Sequence, residues 1–392
     1  MTSKPPSRPS IGFVSTYPPT SCGLATFTAA LRESIAHGRG SEEDLRVVSL
    51  VDARQDAPPP EVIHQHVNGD ATSMRRAVAA LNSHDVALVQ HEYGIFGGPD
   101  GSEVLDLISR LDVPAVVTLH TVLGSPTDSQ QRILEEIVAM AEQTIVMSHT
   151  GLRRLHSRYD VDPQKSRVIP HGARASLFGP RLEPEPRPVV LTWGLIGPGK
   201  GLETAIEAFS LLGDLRPRPR YRILGRTHPK VRAAQGDVYI EGLVERARAL
   251  GLEDTVEFDG RYLDVDSLTM AIRQADMVLL PYESTEQVTS GVLVEALAAG
   301  KPVVATAFPH AAEMLAGGAG AIVPHSDPVA LAGAMRRLLT DPGLARRMTA
   351  VARSIGPTLH WPVVAGKYEQ IIAALTDSRA VRPALDDLAK VG

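Results

Sequence analysis

Short apolar runs alternate with helical patterns along nearly the whole chain, and the alternation breaks off once and then restarts. In the first series the runs are Ile11–Thr16, Leu45–Val51, Asp85–Gln90, Pro114–His120, Thr144–Ser148 and Ser166–Gly172. In the second they are Val189–Gly194, Arg220–Gly225, Thr255–Gly260, Met277–Pro281, Pro302–Thr306 and Gly320–Pro324. Segments such as SMRRAVAALNS, DSQQRILEEIVAMAEQ and LETAIEAFSLL lie between them with helical spacing. Runs that are apolar throughout suit strands covered on both faces, so the pattern predicts parallel, doubly wound sheets. The break is Ser176–Val190, with prolines at 180, 184, 186 and 188. Proline sits badly inside a helix or a central strand, so this stretch reads as a linker. The expected organisation is a first Rossmann-like domain over 1–178, a linker over 179–188 and a second such domain over 189–356. A further helix is expected over 357–376, and a tail covers 377–392.

A chain of 392 residues is long for one ordinary core, which agrees with two domains. The net charge of −5 gives no electrostatic reason to expect a nucleic-acid partner. Cys22 is the single cysteine, which excludes an internal disulfide framework and fits a reducing compartment. The start, MTSKPPSRPS, has no apolar core of a signal peptide, and no stretch has the length of a membrane span. The expectation is a cytoplasmic protein. Peripheral contact with the inner membrane face stays open.

In open α/β sheets ligands gather beyond the C-terminal ends of the strands. The first series places there Tyr17 to Gly23, His91-Glu92-Tyr93, His120, Ser148-His149 and His171. The second offers Gly194 to Gly201, Gly225 to His228, Gly260 to Tyr262, and the stretch LPYESTEQVTSGVLVEALAAG (Leu280–Gly300). One site between two facing sheets accounts for both sets. The last stretch is a strand end, a polar loop and a helix start. Its free backbone N–H groups and helix dipole suit a diphosphate.

Several local features admit two readings. WGLIGPGKG (Trp193–Gly201) is a tight turn or a phosphate contact through its amides and Lys200; it fails the P-loop pattern because Gly201 follows Lys200. Ser21-Cys22-Gly23 is an anion site or a helix cap by Ser21. His120 is a structural histidine or a functional one at a strand end. Glu92 is a surface carboxylate, a general base or a hydroxyl ligand. Glu295 lies on a small, apolar helix surface and needs a partner, either an internal Arg or Lys or the hydroxyls of a bound ribose. The thirteen histidines form no H-E-x-x-H or Cys/His cluster, so no metal is expected.

With these residues in place, the chain resembles the family-4 retaining glycosyltransferases of the GT-B fold, the glycosyl transferases group 1. The segments that carry the resemblance include YPPTSCGLATF, VVTLHT, RVIPHG, LTWGLIGPGKGLETAIEAF and ADMVLLPYESTEQVTSGVLVEALAAGKPVVAT. The resemblance implies two Rossmann-like domains whose parallel sheets face each other across a cleft, with the helix over 357–376, around Trp361, crossing back to the first domain. It implies transfer of a hexose, mannose or glucose, from a GDP- or UDP-sugar to the hydroxyl of a sugar, glycolipid or small metabolite. No cofactor or metal is implied, and the oligomeric state stays open.

By the same resemblance Glu295 holds the donor ribose and Lys200 the diphosphate. Thr289, Ser290, Gly291, Val292 and Leu293 form the segment that presents backbone amides. Gly23 matches a glycine loop, and His120 a histidine beside the donor sugar. Arg261 and Tyr262 match the loop framing the base. The family's first signature glutamate falls on Gln287, so an amide stands where a carboxylate is usual. The usual second cation is missing, and Arg226 is the candidate substitute. His91, Glu92 and Tyr93 are the acceptor-side candidates. A phosphorylase, an epimerase, or a nucleotide-sugar-binding protein without turnover remain the alternatives.

Overall fold

The computed structural model describes residues 8–179, 185–261 and 263–389; the side chains of residues 230 and 378–389 are outside that description. It contains two compact units: residues 1–170 with 361–392, and residues 171–360.

The first unit holds β1 (Ile11–Ser15), α1 (Gly23–Arg39), β2 (Leu45–Val51), β3 (Val62–Val67), α2 (Ala71–Leu81), β4 (Val86–His91) and α3 (Glu103–Ile108). It continues with β5 (Ala115–Leu119), α4 (Asp128–Met140), β6 (Gln143–Val146), α5 (His149–Arg158) and β7 (Ser166–Val168). The strands form one parallel sheet in the order β3-β2-β1-β4-β5-β6-β7. β3 is absent from the sequence reading, because His64, Gln65 and His66 interrupt its apolar pattern. It is an edge strand, where one side needs no sheet partner. β7 is shorter than the expected run and ends at Val168.

The second unit holds β8 (Val189–Trp193), α6 (Leu202–Ser210), β9 (Arg220–Leu224), α7 (Pro229–Gln235), α8 (Val238–Ala249), β10 (Val256–Asp259), α9 (Val265–Gln274) and β11 (Met277–Leu280). There follow α10 (Gly291–Ala298), β12 (Val303–Thr306), α11 (Pro309–Leu315), β13 (Gly320–Val323), α12 (Pro328–Thr340) and α13 (Pro342–Ile355). Its parallel sheet runs β10-β9-β8-β11-β12-β13. Two apolar layers cover its faces, one around Trp193, Tyr282 and Phe308, the other around Phe209, Tyr221 and Met335.

The last helix, α14 (Trp361–Ala389), belongs to the first unit and continues past residue 376, where the sequence reading ends it. Trp361, Val364, Tyr368 and Ile372 are buried in the layer built by Phe13, Phe27 and Leu31. Burying each such side chain contributes about 2 kcal/mol. Residues 171–178 pack with the second unit instead of the first: Ala173 bridges His360, and Leu177 joins the second unit's core. The first domain therefore ends at Pro170, eight residues before the expected boundary of 178. Pro180 and Pro184, in the expected linker, lie outside the described residues.

One buried cation in the second unit is structural. Lys301 donates from Nζ to the carbonyls of Arg273 and Ala275, both at 2.7 Å, and so closes the C-terminus of α9. Lys301→Met leaves those two carbonyls without this donor. It is expected to cost about 2 kcal/mol, read as a lower urea midpoint with an unchanged slope. An unchanged midpoint would show that water satisfies the helix end equally well.

Candidate functional site

In each sheet the strand order reverses at one place, between β1 and β4 in the first unit and between β8 and β11 in the second. Loops leaving the two strands at such a point separate and expose backbone to a ligand.

In the second unit the loop after β8 contains Lys200 and the loop after β11 contains Gln287. They touch: the Glu283 amide donates to the Gly199 carbonyl at 2.9 Å. Gly201 has φ +64, and a Cβ there would stand 1.8 Å from the Pro281 carbonyl oxygen. Only glycine lets the first loop lie this close to the second. The contact brings the Lys200 ammonium over the Tyr282 ring, 4.3 Å from its centroid. No carboxylate lies within ion-pair distance of it among the described residues, and burial pushes its pKa down. Tyr282 is buried and interacts with the Ser290 side chain, which joins the lysine to the start of α10.

The start of α10 is an amide cluster of defined direction. Ser290 is the N-cap, and its hydroxyl accepts from the Leu293 amide at 3.3 Å. The Ser290 amide donates to Nδ1 of His310 at 2.9 Å. Ser290 and Leu293 are buried, so their amides face inward and are used within the protein. That narrows the five-residue amide segment expected from the sequence. Among the described residues, the amides of Gly291 and Val292 meet no acceptor, and neither does the Thr289 hydroxyl. Nε2 of Gln287 donates to the Thr289 carbonyl at 3.0 Å, and this bond leaves its Oε1 unused.

Glu295 lies one turn into α10. Nε1 of Trp193 donates to its Oε2 at 3.1 Å, and Nη1 of Arg174 stands 4.0 Å from its Oε1. Burial raises the Glu295 pKa; Arg174 and the Trp193 bond oppose the rise. Arg174 is an internal arginine of the kind the sequence calls for, though neither it nor Trp193 is singled out there as the partner of Glu295. Arg174 sits beyond the expected first-domain strand, in the segment that belongs to the second unit.

His171 is likewise a second-unit residue. A Cβ on Gly291 would come within 2.9 Å of its Nε2, so the glycine lets α10 start against the imidazole ring. Its Nδ1 pairs with the Gly172 carbonyl at 2.7 Å, and burial lowers its pKa to about 4. Arg226 is half-buried in the loop after β9, where its carbonyl accepts from the Ile196 amide. The Arg261 side chain is 79% exposed, and its guanidinium grips Asp259 through two nitrogens. Tyr262 lies outside the described residues.

In the first unit Gly23 opens α1 and Cys22 caps it, its sulfur accepting from the Ala25 amide at 3.4 Å. The cap is therefore Cys22 and not Ser21. His120 is half-buried after β5; its Nε2 donates to Oε1 of Gln90 at 2.8 Å, and its ring meets Phe27 edge-on. Glu92 accepts from the Thr121 hydroxyl and from the Tyr93 amide.

The geometry separates the three acceptor-side candidates. His91 is fully buried against Tyr93 and Phe96, so it cannot meet a ligand at the surface. The Tyr93 hydroxyl is committed to the Gln130 carbonyl at 3.2 Å. Glu92 is the member of the trio with its polar group at the strand end. Among the described residues no group of three or more His, Cys, Asp or Glu side chains could hold a metal ion. Nor is any helix among them long and apolar enough to cross a membrane.

A family model described as "Glycosyl transferases group 1" matches residues 174–355, and one described as "Glycosyltransferase Family 4" matches residues 33–176. Residues 174–355 belong to the glycosyl transferases group 1, and the two matches in series make the chain a glycosyltransferase. It is similar to the D-inositol 3-phosphate glycosyltransferase of Acidothermus cellulolyticus, 26% identical over 91% of this chain and 82% of that one. The enzyme of the same name from Corynebacterium diphtheriae is 26% identical over 90% of this chain and 86% of the relative. Among solved structures, Anabaena HepE in complex with UDP superposes with a TM-score of 0.74 at 19% identity, covering 93% of this chain and all of that one. Sucrose-phosphate synthase from Thermosynechococcus elongatus gives 0.74 at 21% identity, over 95% of this chain and all of that one. The fold of this glycosyltransferase is GT-B, with two parallel-sheet Rossmann-like units.

Proposed function

We propose that the second unit binds a nucleoside-diphosphate sugar and that the enzyme transfers its hexosyl group to an acceptor hydroxyl with retention of configuration. The observation that carries this reading is the Lys200 ammonium, half-buried over Tyr282, whose ring reaches Ser290 at a helix start with two amides that meet no acceptor among the described residues. A desolvated cation and unfilled N–H groups at a strand-order reversal fit a diphosphate. Glu295, held by Trp193 and Arg174, has the acceptor oxygens to grip two ribose hydroxyls. Oε1 of Gln287 and the Thr289 hydroxyl are the sugar-side groups of this unit.

When the bond from the anomeric carbon to the diphosphate breaks, negative charge grows on the leaving phosphate. Lys200 and the amides of Gly291 and Val292 stabilise that charge, more in the transition state than in the ground state. In the first unit, Glu92 and His120 are the groups proposed to serve the acceptor and the sugar. The solved relative bound to UDP and the relatives named for an inositol phosphate support a nucleotide-sugar donor and a small polyol acceptor.

The test is a thermal-shift panel of UDP, GDP and ADP with their sugars. One nucleotide family is expected to stabilise the protein, and its sugar to be turned over with an acceptor. Glu295→Ala is expected to weaken that nucleotide sugar about tenfold, from the loss of charged hydrogen bonds to the ribose. A panel with no stabilising nucleotide refutes the donor site.

A further inference from the structure

We propose that His310 is a positioning residue that, together with Gln287, braces the donor loop so that the amides of Gly291 and Val292 are left for the donor. This deepens the donor-site reading above and rests on it. His310 lies in the first turn of α11 and is 1% exposed, so it touches no ligand. It nonetheless holds the donor loop twice. Its Nδ1 accepts the Ser290 amide at 2.9 Å, and its own amide donates to the Gln287 carbonyl at 3.2 Å. Gln287 adds a third bond, from its Nε2 to the Thr289 carbonyl at 3.0 Å. Residues 287, 289 and 290 are each fixed by one of these bonds.

The direction of the bonds sets the chemistry. His310 must present a lone pair at Nδ1, so the ring is neutral with its proton on Nε2. Burial and the neighbouring His171 favour the neutral ring, and Glu313 opposes them. With the Ser290 amide bonded to His310 and the Leu293 amide to the Ser290 hydroxyl, the two amides between them are left without an acceptor among the described residues. The ring of His171 lies against Gly291 and limits movement of the helix start on that side.

The same brace explains the amide at position 287. A carboxylate cannot donate a hydrogen bond, so glutamate there would set two oxygens, its own and the Thr289 carbonyl, against each other. In this chain, restoring the family's glutamate is therefore expected to harm donor binding.

The experiment measures donor affinity, KM and kcat for UDP-glucose and GDP-mannose in His310→Leu, His310→Asn and Gln287→Glu. Hydrogen exchange of the segment spanning 287–293 is followed without ligand. His310→Leu is expected to raise the donor KM about tenfold, the effect of one lost buried hydrogen bond, and to speed exchange at the Ser290 amide. His310→Asn supplies an oxygen near the place of Nδ1 and is expected to restore KM to within about threefold of the wild type. Gln287→Glu, a change in a half-exposed loop, is expected to weaken the donor. It carries the test if His310→Leu does not fold. Donor affinity equal to wild type in His310→Leu, or equal or tighter in Gln287→Glu, overturns the brace alone. A wild type that binds neither nucleotide sugar overturns the donor reading and the proposal together.

Discussion

Lys200→Met is expected to lower kcat by about a hundredfold, with a much smaller change in the affinity for the nucleoside part of the donor. Methionine keeps the length and the contact with Tyr282 and removes only the charge. In the resting protein that charge is poorly compensated: a ring face at 4.3 Å is its partner, and burial disfavours the ammonium. Cation–ring attraction amounts to about 1 kcal/mol, well short of the cost of a desolvated ammonium with no anion. A bound diphosphate supplies the missing anion, and the leaving diphosphate supplies more of it as the glycosidic bond breaks. The loss therefore falls on kcat. Lys200→Arg keeps the charge but spreads it over a larger plane, and is expected to recover only part of the rate. The measurement is steady-state turnover together with binding of nucleoside and nucleoside diphosphate. Equal loss for both ligands would show that Lys200 supports the base or ribose, and an unchanged kcat would remove it from catalysis.

How far the sequence reveals this arrangement depends on which interaction each residue makes. Strands buried on both faces leave continuous apolar runs, so β1, β5, β8 and β12 are plain in the sequence. β3 is hidden because His64, Gln65 and His66 follow one another inside it and break the apolar run, and His66 is buried beside Glu103 at 3.5 Å. Lys200, Gln287 and Glu295 are visible because each breaks a local pattern: a lysine in a glycine turn, a loop amide, a charge on an apolar helix.

Residues that act through distant contacts left no comparable mark. Arg174 and His171 follow an apolar run and look like its end, yet they pack on α10, more than a hundred residues later in the chain. His310 follows a proline at a helix start, and its partner Ser290 lies 20 residues away. A usable signal was present: Pro309 at the first helical position locates the turn, and a histidine just inside it can reach a loop amide. His91 misled in the opposite way. A polar residue at a strand end suggests a ligand contact, but aromatic neighbours enclose it completely.

Enclosure of this kind has a second consequence, in acid. Burial lowers both His91 and His310 from the ordinary 6.5 to about 4. The unfolded chain therefore binds more protons at these two positions between pH 6.5 and pH 4. Stability that is fully present above pH 6.5 is lost as the pH falls through that window, and the loss levels off once the folded rings also protonate. Each ring costs on the order of 3 kcal/mol by pH 4, a large share of the stability of one domain. The two losses fall on different units, because His91 belongs to the first and His310 to the second. The two tryptophans can separate them: Trp361 is buried in the first unit and Trp193 in the second. In single-tryptophan proteins, urea midpoints taken between pH 7.5 and pH 4 should fall for both reporters. His91→Phe should flatten the profile read by Trp361 and leave that of Trp193 unchanged. His310→Asn, which keeps an acceptor for the Ser290 amide but cannot take up a proton in this range, should leave the profile read by Trp361 unchanged and make that of Trp193 shallower without abolishing its slope, because burial lowers His171 of the same unit to about 4 as well. A profile as steep in each variant as in its parent would place the acid sensitivity in other groups and show that these rings gain no more protons on unfolding than exposed histidines do.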